Sequence, residues 1–214
     1  MQTSSTLKIK VIVGSTRQKR FSEKPAQWIF EEAKKREGIE AELLDLRDYP
    51  LPFFDEPISP SMAKKGEFAN EMVAKLAKKI DEADGFIIVT PEYNYGYPAV
   101  LKNIMDHIFH EWNNKAVGFV SYGSVSGSRS IEQLKQVAIG LQMAPIRASV
   151  HIPAFWTLTD ESGKLKTESL QKSADGFLTQ LIWWVSALKV ARSQSGFYIL
   201  NLIPFSLSHF RRAL

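Results

Sequence analysis

The stretch FIIVTPEYNYGYPAVLKNIMDH, residues 86–107, decides how the whole chain is read. Phe86, Ile87, Ile88 and Val89 form a short, continuously apolar run, as expected of a central parallel strand covered on both faces. The run gives way to two prolines, three tyrosines, an asparagine and a glycine. Apolar residues then recur at Leu101, Ile104, Met105, Ile108 and Phe109, the spacing of one helix face. A flat, polar aromatic cluster at the mouth of a buried strand suits the binding of something flat.

The same alternation extends in both directions. Strand-like runs cover Leu7–Val13, Glu40–Leu46, Gly85–Thr90, Ala116–Ser121 and Ile146–Ile152. Helical stripes lie between and after them: Ala26, Ile29, Phe30 and Ala33; Phe68, Met72, Leu76 and Ile80; Ile131, Leu134, Ala138 and Leu141; and Leu170 through Phe177, Leu181 and Val185 to Leu188. Five strands alternating with five helices predict an α/β three-layer sandwich around a parallel sheet. Right-handed crossovers make the flavodoxin-like strand order 2-1-3-4-5 the expected one. Residues 7–192 read as one domain, with no composition break inside it. Residues 49–66 hold four prolines and read as a long loop over the strand ends. Residues 193–214 form an apolar tail broken by Pro204, which suits packing on a neighbouring subunit or on the chain's own core better than a membrane surface.

Composition removes several classes of function. The chain has 214 residues and no cysteine, which excludes disulfide scaffolds, thiolate zinc sites and cysteine nucleophiles, and fits a cytoplasmic protein. A formal net charge of +4 is too mild to demand a polyanion, and no basic run with interleaved aromatics points to nucleic acid. No stretch reaches the ~18 apolar residues needed to span a bilayer, and the N-terminus does not read as a signal peptide.

In open α/β sheets ligands bind beyond the C-terminal strand ends, where the strand order reverses. That places three polar loops together. The first, GSTRQKRFSEKPAQW at 14–28, offers the hydroxyls of Ser15, Thr16 and Ser22 and the forked cations of Arg17 and Arg20 just before a helix. It suits a phosphate about as well as it suits a capped strand-to-helix turn. The second follows Thr90, where prolines stiffen the chain and Tyr93, Tyr95 and Tyr97 supply flat walls. The third, SYGSVSGSRS at 121–130, is Gly/Ser-rich and opens another helix. His107 and His110 stand three apart on a predicted helix, but no motif supplies the third ligand of a metal site. Trp183 and Trp184 read as core or interface residues. The strand ends VIVGST and IIVTPE carry no phosphoacceptor aspartate, which removes a receiver domain of the same topology.

Together the motifs GSTRQKRFSEKPAQW, PEYNYGYPAVLKN and SYGSVSGSRSIEQL resemble the NADPH-dependent FMN reductase family over about residues 8–153. The resemblance implies an FMN-binding flavoprotein that oxidises NADPH or NADH. It assigns the FMN phosphate to Ser15, Arg17, Arg20, Phe21 and Ser22, the isoalloxazine ring to Pro91, Glu92, Tyr93, Asn94 and Tyr95, and the ring's pyrimidine side to Tyr122, Gly123 and Ser124. It implies a ping-pong passage of hydride to flavin and on to a small-molecule acceptor: a quinone, free flavin, azo compound or metal oxyanion. No side chain is assigned as acid or base. It also implies a homodimer, with a tetramer as the larger form, pairing through helices such as that of LKNIMDHIF. Lys19 stands where many members carry glycine, and Pro25 falls inside the early helix. The competing reading is a flavodoxin-like electron carrier without enzymatic activity.

Overall fold

The structure, a computed structural model, describes residues 6–194; the expected tail therefore lies, from residue 195 on, outside the described residues. Five strands, β1 (Leu7–Val13), β2 (Ile39–Asp45), β3 (Gly85–Pro91), β4 (Ala116–Tyr122) and β5 (Ala144–Ile152), alternate with five helices, α1 (Glu23–Lys34), α2 (Glu71–Asp81), α3 (Ala99–His107), α4 (Ser128–Gly140) and α5 (Gln171–Gln194). The sheet is parallel throughout in the order β2-β1-β3-β4-β5, as expected.

The continuous apolar run of β3 is explained by what each face meets. Phe86 and Ile88 join a core with α2, α3 and α4, while Ile87 and Val89 join a second core with α1 and α5. All four are fully buried, so both faces of this run call for apolar side chains, and the buried Thr90 that follows satisfies its hydroxyl by donating to Pro91 O at 2.9 Å. Trp112 packs edge-on against Phe86 at 4.8 Å in the first core. In the second, Phe177 of α5 is buried among residues of the central strands.

Four helix boundaries differ from the periodic reading: Leu141 and Leu170 stand one residue outside α4 and α5, and at α2 and α3 the reasons are local. Phe68 lies on the stripe of α2 but ahead of its start, because the Asn70 side chain caps the helix by accepting from the N–H groups of Met72 (2.9 Å) and Val73 (3.2 Å). Ile108 and Phe109 lie beyond the end of α3, where Ile108 has an extended backbone. The other end of α2 is closed by Lys115, whose Nζ donates to the carbonyls of Ile80 (2.8 Å) and Asp81 (2.9 Å). Burial lowers the Lys115 pKa to about 8.

The proline-rich segment after β2 lies along α3 and the turn that follows it, which together carry its anchors. The Asn103 Nδ2 donates to Pro52 O (2.7 Å), and the N–H of Phe54 donates back to Asn103 Oδ1 (3.0 Å). Ring N–H groups of His107 and His110 donate to Pro52 O (3.0 Å) and Ala63 O (2.9 Å). The two histidines thus brace a loop, and among the described residues no group of three or more potential metal ligands assembles. No helix among the described residues is long and apolar enough to cross a membrane.

Candidate functional site

The first loop leaves β1 at Gly14, whose N–H donates to Val89 O at 2.8 Å. A Cβ here would stand 2.7 Å from both Leu101 Cδ1 and Val89 O, so only glycine lets β1, β3 and α3 approach this closely. Ser15 is buried, with its Oγ 2.9 Å from the Tyr93 hydroxyl, which ties the first loop to the second. Arg17 is exposed. Arg20 is not: its side chain is 0% exposed, donating to the Ser15 carbonyl and pairing with Asp45 and Glu23. Ser22 stands before α1 without capping it. Its Oγ instead lies 2.7 Å from the hydroxyl of Tyr122, whose pKa burial pushes up. Phe21 packs on Tyr122 and on Phe155, with ring centroids 5.0 Å apart in each case.

What this loop leaves free is its backbone. The N–H groups of Gln18, Lys19, Phe21 and Ser22 donate to no acceptor among the described residues. They stand beside the exposed cations of Arg17 and Lys19 and just before a helix, the donor set of an anion nest. Lys19 adopts φ +52°, the left-handed conformation that explains why glycine suits this position. Lys19→Gly is expected to raise stability by up to ~1 kcal/mol, since the relieved backbone strain exceeds the added chain entropy. Thermal unfolding of the variant checks the sign.

The second loop is a strained hairpin. Tyr93 and Gly96 exchange N–H···O bonds of 2.9 and 3.0 Å around Asn94 (φ +48°) and Tyr95 (φ +69°), a type I′ turn with tyrosine where glycine is preferred. Helix α4 holds it in place. Arg129 donates to the Glu92 carboxylate from Nη1 (2.7 Å) and from its backbone N–H (3.3 Å), and its guanidinium carbon sits 3.8 Å over the Tyr95 ring. Gln133 donates to Tyr95 O (2.9 Å), and Ser130 Oγ lies within 2.9 Å of both Pro91 O and Gly96 O. Neighbours that over-determine a turn can hold such strain in place. Glu92 is 4% exposed on its side chain and Pro91 is buried, whereas Asn94 and Tyr95 face outward, both of their N–H groups without a partner among the described residues.

The third loop runs past the second. The N–H of Glu92 donates to Tyr122 O (2.9 Å), and Gly123 packs against Glu92. Ser121 Oγ donates to Ser126 O at 2.6 Å, closing the loop, while Ser124 is exposed and its N–H has no partner among the described residues. The structure therefore brings the three loops together through the pairs Ser15–Tyr93, Ser22–Tyr122 and Glu92–Tyr122. It turns Arg20, Ser22, Tyr122 and Glu92 inward as supports and leaves Arg17, Asn94, Tyr95 and Ser124 facing out. Sequence reasoning missed Asp45, Arg129 and Ser130. Arg129 carried a signal: a cation in the first turn of a helix opposes the helix dipole and implies a specific acidic partner.

The unpartnered donors fit the parts of a flavin mononucleotide. The first loop matches a phosphate monoester, and the outward N–H groups of the second match the acceptor edge of a flat heteroaromatic ring.

Comparisons with known proteins agree. The sequence model of the NADPH-dependent FMN reductase family matches residues 7–157. The chain is 43% identical over 150 residues to an NAD(P)H-dependent FMN reductase of Schizosaccharomyces pombe, covering 69% of this chain and 74% of that one. It is 33% identical to the NAD(P)H-dependent FMN reductase LOT6 of Saccharomyces cerevisiae, covering 69% and 82%. Among solved structures, the flavoenzyme NAD(P)H:(acceptor) oxidoreductase FerB of Paracoccus denitrificans superposes with a TM-score of 0.67 at 21% identity over 85% of this chain and 98% of that one, a likeness of fold. On the match of the family's model and the identity to these reductases, the chain belongs to the NADPH-dependent FMN reductase family.

Proposed function

We propose that the protein is an FMN-dependent NAD(P)H oxidoreductase that hands electrons to a small acceptor in a ping-pong scheme. The observation that carries this reading is the double set of unpartnered backbone donors, one beside Arg17 and Lys19 and one at Asn94 and Tyr95. Bound FMN would supply the redox chemistry, taking hydride from NAD(P)H and passing electrons on. The chain would do the rest. Residues 17–22 would hold the phosphate, the turn 93–96 would support the ring, and Ser124 would border it. Donors fixed in a rigid turn stabilise developing negative charge without reorganising, and the contacts from α4 supply that rigidity. No side chain facing the crevice is required as acid or base. That requirement suits acceptors that differ in shape: quinones, free flavin, azo compounds and metal oxyanions. The curated relatives include an NAD(P)H:quinone oxidoreductase of Solanum tuberosum and an FMN-dependent NADPH-azoreductase of Staphylococcus saprophyticus, in keeping with that breadth.

A homodimer, or a tetramer built from it, in the cytoplasm is the proposed setting. The apolar residues Leu101, Ile104, Met105 and Ile108 on and just past α3 are buried in the chain's own core. Pairing would therefore use other surface, such as the exposed Tyr95 and Val125 at the crevice rim.

The test is an absorbance spectrum of the purified protein after FMN is added and the excess removed, followed by NADPH. Flavin bands that are retained and then bleach are the expected result. Bands that stay unbleached with both NADPH and NADH would favour an electron carrier, and the absence of flavin binding or turnover would sink the reading.

A further inference from the structure

A cavity of about 460 Å³ lies between the proline-rich segment and helices α2 and α3, and none of its lining residues belongs to the three loops of the flavin crevice. Its volume is that of a small-molecule site. Phe54, Phe68, Phe109 and Met62 give it aromatic and soft apolar walls. Glu111 lines it as well. This residue is only 3% exposed, and its carboxyl makes no hydrogen bond and no ion pair with any described residue. The carboxyl oxygens are not fully enclosed, so the charged end keeps a thin remnant of its hydration and has no partner among the described residues in place of the rest.

The cations around the cavity are already committed. Lys64 pairs with Glu67 at 2.6 Å and Lys65 with Asp81 at 2.7 Å, while the ring N–H groups of His107 and His110 go to backbone carbonyls. Glu56, a second carboxylate on the lining, is exposed and also without an ion pair. The cavity is thus acidic, aromatic and short of one positive charge. Too few potential metal ligands gather among the described residues for that charge to be a metal ion.

We propose that this cavity binds a small organic cation, an ammonium or guanidinium on a compact apolar body, with Glu111 as its counter-ion. The aromatic walls favour such a body by covering its apolar part. The same chemistry has two sources: a free amine, or a lysine or arginine side chain of a second copy of this chain. The site is independent of the flavin reading, since it shares no residue with it.

Calorimetric titration of the full chain compares phenethylammonium with 2-phenylethanol, which keeps the ring and loses the charge. Phenethylammonium is expected to bind at least ~10-fold more tightly, as a charge-assisted partner to a buried carboxyl should. Glu111→Gln keeps the volume and is expected to erase that preference while FMN retention is unchanged. Should Glu111→Gln fail to fold, Met62→Trp, at an exposed position on the lining, is expected to block the cavity and abolish binding of both probes. Equal affinity for the two probes, or undiminished ammonium binding by Glu111→Gln, overturns the proposal. Sedimentation of the protein with and without phenethylammonium separates the sources. Unchanged association supports a free ligand, whereas dissociation by the probe, reproduced by Glu111→Gln, overturns the free ligand in favour of an ion pair between subunits.

Discussion

Arg20→Gln is expected to lower the melting temperature by about 10 °C and to release FMN during purification. The guanidinium is wholly withdrawn from solvent and serves three acceptors in three directions: the Ser15 carbonyl, Asp45 and Glu23. Losing these charge-assisted hydrogen bonds costs about 3 kcal/mol, and not more, because Asp45 and Glu23 are 29% and 56% exposed on their side chains and keep Arg47 beside them. For a chain of this size each kcal/mol moves the melting temperature by about 2–4 °C. The cofactor effect follows from position. Arg20 ties the start of the first loop, at Ser15, to the end of β2, at Asp45, so the backbone donors of residues 18, 19, 21 and 22 lose their support together. Arg20→Lys is expected to recover less than half of the loss, since one ammonium cannot reproduce a fork that reaches three acceptors. Calorimetry and FMN fluorescence titration measure the two effects. A variant that binds FMN poorly at an unchanged melting temperature would show instead that Arg20 acts directly on the phosphate.

Gly127→Ala carries the second large effect. Gly127 has φ +74°, and a Cβ there would lie 2.6 Å from Ser121 Cβ, 2.8 Å from Ser121 Oγ and 2.9 Å from the Tyr122 nitrogen. The left-handed backbone alone costs an alanine about 1–2 kcal/mol, and overpacking adds about 1–3 kcal/mol. No flexible side-chain end is available to move aside, so the third loop must shift and the Ser121–Ser126 bond must open. A total loss of about 2–5 kcal/mol is expected, together with FMN affinity weakened by about 10-fold or more. Denaturant unfolding and an FMN titration read the two terms. Retention of wild-type affinity would place the third loop outside the flavin site.

The fold was legible because burial dictates pattern. Phe86–Val89, short and bounded by Gly85 and the prolines that follow, reads as a strand with both faces covered, and the crossover rules then leave few strand orders. What stayed hidden depends on single hydrogen bonds. The capping of α2 by Asn70 moves its start past Phe68, and no periodicity encodes that. The site divides in the same way. Local sequence placed Ser15, Arg20, Tyr93, Glu92 and Tyr122 at the strand ends, where the structure has them. Which of them turn inward is decided by residues far along the chain, such as Asp45 for Arg20 and Arg129 for Glu92. Pair distances across such separations are a property of the folded chain.

The strand order also fixes a sequence of events during synthesis. β1 and β2 are joined by α1 and can pair early, but the other edge of β1 waits for β3, with Ile9 opposite Gly85. At ribosomal rates that wait lasts about 4–16 s. From then on the sheet grows by accretion on one side, β3 then β4 then β5, each new strand being the open edge until the next arrives. The most exposed moment comes after β3. Between residues 91 and 116 the nascent sheet ends in a strand that is apolar over Phe86–Val89 and has unpaired backbone, an arrangement prone to joining another chain. Translation that slows over this interval is expected to raise aggregation, and translation that slows after β4 is expected to raise it less.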